Sequence, residues 1–298
     1  MNLKQLAYLA ALHKTSSFTA AAKLCGVSQS TLSGGIAALE TSLNAALVER
    51  DKQHVLFTAL GLGVVQRAAP LLAASQDLQA FVDSNNQPMQ GTITLAAIPS
   101  VAPFLLAPLI TQLRQNHPTL KILLREAQTA ALLEQLRSGT LDMGIIALPY
   151  DTTGLHVLPL FNEPLLLIAA ASDALARSTQ ASLAKLQPER LILLQEGHCL
   201  RDHTLQSCSF AERSSAAIEA SSLLTLVQMV EAGLGVALLP EMATKSRLVQ
   251  PAVAQGALVA LPFAKPAPQR SIALVTRVTH SKQQAFAEIA GIIKRQRQ

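Results

Sequence analysis

The first 57 residues alternate between apolar and polar positions at the spacing of short amphipathic helices. In the first segment the apolar face consists of Leu3, Leu6, Ala7, Leu9 and Ala10. A second helix is predicted from Thr19 to Cys25, with Ser17 as its N-cap and Gly26 as its stop. The pattern therefore predicts a small helical domain at the N-terminus.

A third helix is predicted after Ser28, which can cap it, and extends to Glu40. The turn before it is a few residues long and contains glycine, as a helix-turn-helix requires. The positions that this motif needs small or apolar are occupied by Ala21, Gly26, Val27, Leu32 and Ile36. The stretch from Arg50 to Thr58 then predicts a two-stranded wing.

One long helix is predicted from Ala59 to Ser84. Its apolar seam recurs in steps of four and three, the a/d pattern of a helix that pairs with another helix. The seam consists of Val64, Ala68, Leu71, Ser75, Leu78 and Val82. Pro70 inside it should kink the helix or cost about 3 kcal/mol. The alternative is a helix packed on its own domain. Residues 84–88 predict a hinge.

Beyond the hinge, strand and helix patterns alternate. The predicted strands are Thr92–Ile98, Lys121–Glu126, Asp142–Ala147, Leu165–Ala171, Leu191–Leu194, Val236–Leu239 and Arg270–Thr276. The predicted helices are Pro103–Asn116, Ala130–Ser138, Leu223–Ala232 and Ser281–Arg295. This βαβ alternation predicts an open α/β architecture with parallel strand pairing.

The composition is typical of a folded protein with a large aliphatic core. Hydrophobic residues make up 50% and charged residues 14% of the 298 residues, which argues against disorder. The net charge of +5 and the pI of about 9.3 are compatible with a nucleic-acid partner but do not require one.

The N-terminus leads into an amphipathic helix and not into an apolar export signal. The most apolar stretch, Leu95–Leu113, is interrupted by Pro99, Pro103 and Pro108, so we predict no membrane span. We therefore expect a cytoplasmic protein, in which disulfides are usually transient and redox-sensing. The cysteine count of three is odd, which also argues against a secreted disulfide framework.

Two of the cysteines lie in one short stretch, Gly197–Cys208. His198 precedes Cys199 and Arg201 follows it, and nearby positive charge lowers a thiol pKa and favours the nucleophilic thiolate. If the stretch is helical, the Cα atoms of Cys199 and Cys208 are about 13 Å apart. A disulfide tolerates only about 4.4–6.8 Å. Joining them would then unwind the helix, which is typical of a switch.

Three other interpretations of this stretch stay open. Two ordinary thiols in a helix and a loop would have the same spacing. His198, Cys199, His203 and Cys208 are zinc-ligand types but lack the usual Cys-x₂₋₄-Cys pair, so we predict no metal. A Cys–His hydrolase would need a base and oxyanion donors that the sequence does not place, so we predict no enzyme.

Several N-terminal motifs match one known family. They are Phe18–Leu24, Val27–Ser33, Leu39-Glu40, Leu43, Leu47, Glu49-Arg50 and Phe57-Thr58. Together with the long helix and the α/β region, they make the whole chain resemble the LysR-type transcriptional regulators. The resemblance implies a winged helix-turn-helix, a linker helix and an effector region of two Rossmann-like subdomains, similar to periplasmic binding proteins.

The domain boundaries implied by this resemblance follow the pattern of elements. The DNA-binding domain is expected at 1–58, the linker helix and hinge at 59–87, and the redox-sensing effector domain at 88–298. Within the effector domain, subdomain I is expected to comprise 88–162 and 268–298, and subdomain II 163–267.

Four further motifs, Gly197–Asp202 with Cys208, Pro99–Val101, Arg125–Thr129 and Ala232–Val236, resemble the hydrogen-peroxide-sensing branch of this family. That resemblance implies that peroxide oxidises Cys199 to a sulfenic acid, which Cys208 resolves to a disulfide. The segment between them would refold, the subunits of a homotetramer would rotate, and the grip on DNA would change.

The same resemblance implies a peroxide site around the thiol. Ser100 and Thr129 would position peroxide through their hydroxyls, and Arg270 would help to acidify Cys199. The other supporting residues expected there are His198, Arg201 and Asp202.

Some of these residues have plain structural alternatives. Asp202 could cap the next helix or pair with Arg201, and Ser100 could merely cap its helix. His203 is expected on the solvent side, and Cys25 is expected to be a buried small apolar residue.

We expect the DNA contacts in the third helix and the wing. Gln29 can read adenine with two hydrogen bonds, whereas serine and threonine hydroxyls more often contact phosphate. The expected DNA-binding residues are Ser28, Gln29, Ser30, Thr31, Ser33, Arg50 and Thr58. Gly34-Gly35 and Ala37-Ala38 stand where relatives commonly carry longer polar or basic side chains, which predicts weaker, less salt-dependent binding.

The sequence therefore predicts a peroxide-responsive transcription factor, without a cofactor, that controls antioxidant genes. The expected partners are double-stranded promoter DNA, hydrogen peroxide, further copies of the chain in a dimer of dimers, RNA polymerase, and a thiol reductant such as glutaredoxin or thioredoxin. The alternative is a LysR-type regulator that binds a small organic effector between its two subdomains, with the cysteines vestigial.

Overall fold

The computed structural model describes residues 1–50, 55–84, 89–208 and 218–297. The chain divides into two compact units, one of residues 1–87 with 137–140 and the other of residues 88–136 with 141–298. The first unit has one hydrophobic core and the second unit has two. No helix among the described residues is long and apolar enough to cross a membrane.

The N-terminal unit contains three short helices, a wing and a long helix. Its elements are α1 (Leu3–Thr15), α2 (Phe18–Cys25), α3 (Gln29–Leu43), β1 (Val48–Arg50), β2 (Val55–Phe57) and α4 (Ala59–Ser84). Ser17 and Ser28 cap α2 and α3 as predicted, and α2 ends at Gly26 with a φ of 67°. β1 and β2 pair antiparallel. Residues 51–54, which the prediction placed in the wing, lie outside the described residues.

The core of this unit holds α3 tightly against α1. Both helices contribute fully buried side chains, namely Leu9, Leu12, Leu32, Ile36 and Leu39. A Cβ at Gly35 would lie 2.6 Å from a ring carbon of Tyr8. Gly35 therefore allows α1 and α3 to approach closely, and this packing accounts for one of the two glycines in α3.

The long helix α4 continues through Pro70, so the proline does not end it. Ala68 is buried in the core of the same unit and Val64 packs against it, as the alternative to a pairing helix predicts. Leu71 and Leu78, by contrast, are 52% and 67% exposed. The first part of the predicted seam thus packs within its own unit, and the later positions Leu71 and Leu78 remain exposed. The predicted hinge lies almost entirely outside the described residues.

The second unit is an α/β structure. Its strands are β3 (Gly91–Ala97), β4 (Leu120–Glu126), β5 (Met143–Leu148), β6 (Leu155–Ala170), β7 (Ile192–Leu194), β8 (Ile218–Ala220), β9 (Ala237–Pro240), β10 (Leu258–Leu261) and β11 (Gln269–Arg277). Its helices are α5 (Ala102–Asn116), α6 (Thr129–Ser138), α7 (Cys199–Ser207), α8 (Leu223–Glu231), α9 (Glu241–Thr244), α10 (Gln250–Ala254) and α11 (Gln283–Arg295). Single 3₁₀ turns lie at Ala174–Arg177, Leu183–Lys185 and Pro188–Arg190.

Seven of these strands form one mixed sheet in the order β10-β6-β11-β5-β3-β4, with β9 also paired to β6. Parallel pairing joins β3 to β4 and β5, and β7 to β8. The pairings of β6 and β11 are antiparallel, so the prediction of parallel pairing is wrong for that half of the sheet. Only the end of β6 was predicted, because Pro159 and Pro164 interrupt its sequence pattern and proline is rare inside strands.

Strand β6 connects two hydrophobic cores. Its first part pairs with β11 over a core that includes Ile93, Leu95 and Ile145, which we call core I. Its second part pairs with β9 and β10 over a core that includes Leu193 and Leu238, which we call core II. Helix α7 spans from one core to the other, because its first residue belongs to core I and the residue after its end belongs to core II.

Candidate functional site

Cys199 is the first residue of α7 and lies in core I. Its side chain is only 3% exposed, and its Sγ lies 3.8 Å from Oγ of Ser100. Ser100 follows β3, so the structure brings together the thiol and the hydroxyl that the sequence analysis expected to find beside it. Ser100 does not cap α5, whose N-cap is Val101 without a side-chain hydrogen bond.

Arg270, on β11, connects Ser100 to a buried carboxylate. Its Nη1 donates to Ser100 Oγ at 2.6 Å, and its Nη2 donates to the Ser100 carbonyl at 3.1 Å. Its Nε and Nη2 also donate to Glu163 Oε2, at 3.0 and 2.8 Å. Glu163 Oε1 accepts from the backbone N–H of Met242 at 2.9 Å. This fully buried ion pair fixes the guanidinium one hydroxyl away from the thiol.

Glu163 was not among the residues predicted from the sequence. It is the only Asp, Glu, Lys or Arg in the 16 residues of β6. A carboxylate alone in an apolar strand is rarely buried unless a cation pairs with it. That signal is present in the sequence, but it does not identify Arg270 as the partner.

The pKa of the Cys199 thiol is shifted upward, whereas the sequence led us to expect a lowered pKa. Burial raises the pKa of the thiol above its ordinary value, and the charge of Arg270 opposes this rise, as do the hydroxyls of Ser100 and Thr129. The negative charge of Asp202 adds to the rise. In this conformation Cys199 is therefore a protonated thiol at neutral pH, with a buried cation and two hydroxyls that favour its thiolate.

Arg201 and His198 do not supply the predicted positive charge. Arg201 Nη1 donates to the Leu194 carbonyl at 3.0 Å and to Glu219 Oε1 at 2.6 Å. Burial lowers the pKa of the half-buried His198 imidazole, so the ring is neutral at pH 7. The prediction that these two neighbours lower the thiol pKa is wrong, and the cation that opposes the rise is Arg270, the residue that the family resemblance implied for this role.

A narrow cleft lies beside the thiol, and in this conformation it is too tight to hold a water molecule. It is lined by Ile98–Ser100, Gln128, Thr129 and Gly197–Leu200. The buried hydroxyl of Thr129 has no hydrogen-bond partner of normal geometry among the described residues. Gly197 has a φ of 88°, and a Cβ there would lie 2.5 Å from Gln128 Oε1, so glycine lets this turn close over the pocket.

The structure corrects the expected roles of Asp202 and His203. Asp202 accepts a hydrogen bond at 2.8 Å from the hydroxyl of Tyr150, a residue that the sequence analysis did not single out. Within the described part of the chain, the helix that contains Asp202 and the helix that follows it are capped by other residues, and Arg201 pairs with Glu219 and not with Asp202. His203 is buried, not on the solvent side, and its Nε2 lies 2.9 Å from the Leu148 carbonyl oxygen. Burial also lowers the His203 pKa.

Cys208 lies at the opposite end of α7. It is 8% exposed in core II, and burial raises its pKa to about 11. Both cysteines are free thiols, and the helix between them keeps their Cα atoms about 13 Å apart. The two cysteines lie in separate cores, and His203 Nε2 is hydrogen-bonded to the Leu148 carbonyl oxygen. This arrangement does not support a zinc site formed by Cys199, Cys208 and the two histidines. The third thiol, Cys25, is half-buried, so the expectation of full burial is only partly met.

The expected DNA-binding residues lie at the start of α3. Ser28, Gln29, Ser30 and Thr31 are exposed and Ser33 is half-buried. Ser28 Oγ accepts from the Thr31 N–H at 3.1 Å and also lies within hydrogen-bond distance of the Ser30 and Thr31 hydroxyls. Gln29 Oε1 accepts a long hydrogen bond of 3.4 Å from the Thr19 hydroxyl. The N-terminal turn of α3 thus presents an exposed polar surface.

Two further expected DNA-binding residues differ from this group. Thr58 Oγ1 donates to the Ala46 carbonyl at 3.0 Å and accepts from the Gly61 N–H at 2.9 Å, so its hydroxyl fixes the start of α4. Arg50 ends β1, and its side chain lies outside the described part of the structure.

Comparisons with known proteins cover both units. Residues 3–62 match the model of the bacterial regulatory helix-turn-helix protein of the lysR family, and residues 86–298 match that of the LysR substrate binding domain. The chain is 43% identical to the HTH-type transcriptional regulator EstR of Acinetobacter baylyi, over 99% of this chain and 96% of that one. It is 38% identical to a hydrogen peroxide-inducible genes activator of Escherichia coli, over 99% and 95%. A full-length OxyR variant from Pseudomonas aeruginosa superposes with a TM-score of 0.82 at 33% identity, over 99% and 95% of the two chains.

Proposed function

The chain belongs to the LysR family of bacterial DNA-binding transcriptional regulators, and from that premise we propose that it senses hydrogen peroxide through Cys199 and Cys208. The observation that carries the proposal is the position of Cys199, buried against Ser100 and the Arg270–Glu163 pair, on a helix that ends at a second buried thiol. Peroxide-inducible activators and OxyR among the similar proteins support this assignment.

The proposed chemistry has two steps. The Cys199 thiolate attacks one oxygen of hydrogen peroxide, an S–O bond forms, the O–O bond breaks, and hydroxide leaves and takes up a proton. The Cys208 thiolate then attacks the sulfenic sulfur, an S–S bond forms, and the S–O bond breaks to release a second hydroxide, which is protonated to water. The first step oxidises Cys199 by two electrons, and the second shares that oxidation between both sulfurs.

The surroundings of Cys199 suit the first step. Arg270 and Ser100 offer positive charge and a hydroxyl to the thiolate and to the hydroxide that leaves, and the buried hydroxyl of Thr129 faces the same thiol, where a peroxide oxygen would bind. Because the pocket is too tight for water, peroxide would enter only after a lining side chain such as Gln128 moves. Once Cys199 is oxidised, the second step requires α7 to unwind.

A second candidate function is favoured by one observation. An apolar cavity of about 320 Å³ lies between the two cores, lined by Pro99, Pro103, Phe104, Glu126, Leu194, His198, Ser221–Leu224 and Leu248. Its size and apolar lining suit a small organic molecule. In this alternative the chain responds to an effector in that cavity and the two thiols take no part.

We also propose the assembly and partners that go with the redox function. The exposed apolar positions of α4, including Leu71 and Leu78, would pair linker helices, and effector domains would pair separately to give a homotetramer. The domain boundaries stay those proposed from the sequence, 1–58, 59–87 and 88–298. Promoter DNA is the macromolecular target, RNA polymerase responds to the bound regulator, and a thiol reductant such as glutaredoxin or thioredoxin resets the disulfide.

A gel-shift titration on the promoter region tests the two candidates against each other. Peroxide alone should change the apparent affinity or the footprint of the full-length protein, and a dithiol reductant should reverse the change. If oxidant has no effect while a small apolar acid or ester shifts the affinity of the reduced protein, the effector-binding alternative replaces the redox function.

A further inference from the structure

We propose that Tyr150 is a positioning residue of the redox switch, which holds α7 through Asp202 and thereby controls how fast oxidised Cys199 is joined to Cys208. The inference rests on the proposed redox function and adds to it a residue that sets the rate of the second step.

Tyr150 and its neighbour Leu148 hold α7 at two successive positions. The Tyr150 hydroxyl donates to Asp202 Oδ2 at 2.8 Å, and the Leu148 carbonyl oxygen lies 2.9 Å from Nε2 of the buried His203. Leu148 is the last residue of β5, which is paired with both β3 and β11. The two hydrogen bonds therefore attach the middle of α7 to the central strands of the sheet.

The Tyr150–Asp202 bond also lies close to the reacting sulfur. Asp202 is three residues after Cys199 on α7, so both side chains project from neighbouring positions on one helix face. Burial raises the pKa of Tyr150, and the hydrogen bond and charge of Asp202 raise it further, whereas an interaction with the Thr129 hydroxyl acts in the opposite direction. Tyr150 thus stays a hydrogen-bond donor across the physiological pH range.

Disulfide formation must break this attachment. In α7 the Cα atoms of Cys199 and Cys208 are about 13 Å apart, and they must approach to about 4.4–6.8 Å. Asp202 and His203 lie between the two cysteines, so the helix cannot unwind while they remain bound to Tyr150 and Leu148. A weaker attachment should leave the first step possible and accelerate the second.

The test is Tyr150→Phe, which removes the hydroxyl and keeps the ring. We expect the conversion of the Cys199 sulfenic acid to the disulfide to become faster by roughly three- to tenfold, as for the loss of one hydrogen bond. The measurement is rapid quenching of full-length protein after a peroxide pulse, with alkylation and mass spectrometry of the peptides that carry Cys199 and Cys208. Tyr8→Phe is the matched control, because Tyr8 is the other tyrosine of the chain and lies in α1.

A double-mutant cycle distinguishes this role from general loosening of the fold. Asp202→Ala removes the acceptor of the same hydrogen bond, so the double variant should convert no faster than the faster single variant. An unchanged or slower rate in Tyr150→Phe, or additive effects in the double variant, would overturn the inference while the redox function stands. If the parent protein forms sulfenic acid and disulfide at neither cysteine, the redox function itself fails and this inference fails with it.

Discussion

Cys199 and Cys208 stand at the two ends of one helix and are almost equally buried, at 3% and 8% exposed, yet their surroundings differ in kind. Burial raises the pKa of both thiols. Among the described residues, Arg270, Ser100 and Thr129 oppose the rise at Cys199, whereas burial is the cause found for the rise at Cys208. Equal burial therefore does not imply equal chemistry, and we assign attack on peroxide to Cys199 and resolution to Cys208.

The largest expected effect comes from replacing each of the two cysteines by serine in a separate variant. Cys199→Ser should abolish the response of DNA binding to peroxide, because a serine hydroxyl cannot be oxidised by it. Cys208→Ser should still form a sulfenic acid at residue 199, without a lasting intramolecular disulfide. A dimedone-type probe for sulfenic acid, combined with gel shifts, checks both. Sulfenic acid at residue 208 in the Cys199→Ser protein would reverse the assignment.

The next effect distinguishes the two arginines near the thiol. Arg270→Ala should slow oxidation of Cys199 by raising its pKa. It should also destabilise the fold, by up to about 3–5 kcal/mol, because buried Glu163 loses its hydrogen-bonded cation and keeps only the more distant Arg297, at 3.9 Å. Arg201→Ala breaks a hydrogen-bonded pair with a partly exposed Glu219, and should cost about 1 kcal/mol. Denaturant unfolding and peroxide kinetics provide the two readouts.

The combination Arg270→Ala with Glu163→Gln serves as the control for stability. It should recover part of the lost unfolding free energy, because no unpaired charge remains, and it should still react slowly. Normal reactivity in that double variant would mean that the Arg270 charge does not assist Cys199.

A smaller effect is expected from changes at the DNA-binding surface. These changes should alter DNA binding without altering the chemistry of either cysteine. Gln29→Ala should lose sequence preference by about 1–3 kcal/mol if the contact to a base is bidentate, while Arg50→Ala should weaken binding to all sequences alike. Oxidation of Cys199 should be unchanged in both. Parent-like binding by both variants in a gel-shift titration would show that α3 is not the recognition helix.

The smallest stability effect is expected at Thr129. Its buried hydroxyl lacks a partner of normal geometry among the described residues, so Thr129→Val should leave the unfolding free energy unchanged or slightly higher. Oxidation of Cys199 should nevertheless become slower, because the hydroxyl favours the thiolate. A loss of stability with unchanged kinetics would assign Thr129 to the fold alone.

The pH dependence of the rate of Cys199 oxidation tests the same assignment of charges around the thiol. The thiolate is the nucleophile, and the pKa of Cys199 lies above its ordinary value, so the rate of peroxide oxidation should rise with pH through the neutral range and beyond. Arg270→Ala should move the profile to still higher pH. A rate that is already constant at neutral pH in the parent would show a low thiol pKa and therefore a different resting conformation of the pocket.

Local features of this molecule were predictable from the sequence, and long-range ones were not. The caps at Ser17 and Ser28 and the stop at Gly26 depend on neighbouring residues, so they were predicted correctly. Glu163 and Arg270 are 107 positions apart, and Tyr150 and Asp202 are 52 apart. Such pairs depend on strand order, which the βαβ pattern did not predict. The pattern predicted parallel pairing, which holds for only part of the sheet.

The assignment of charge to the thiol from its sequence neighbours failed for a related reason, whereas the family resemblance had implied Arg270. Arg201 is two positions from Cys199, but it turns to Glu219 and Leu194. Arg270 reaches the site from β11 because that strand lies next to β5 and β6. Nearness along the chain was therefore a poor guide to which cation acts on the thiol.

The most direct test of the central claim is a peptide map of the parent protein after stoichiometric hydrogen peroxide, with free thiols blocked before digestion. The account predicts one new species, in which the peptides of Cys199 and Cys208 are joined and lack both thiol hydrogens, while Cys25 is recovered in its blocked form. Recovery of Cys199 and Cys208 as blocked thiols under conditions that oxidise a control thiol would contradict it, as would a disulfide that includes Cys25.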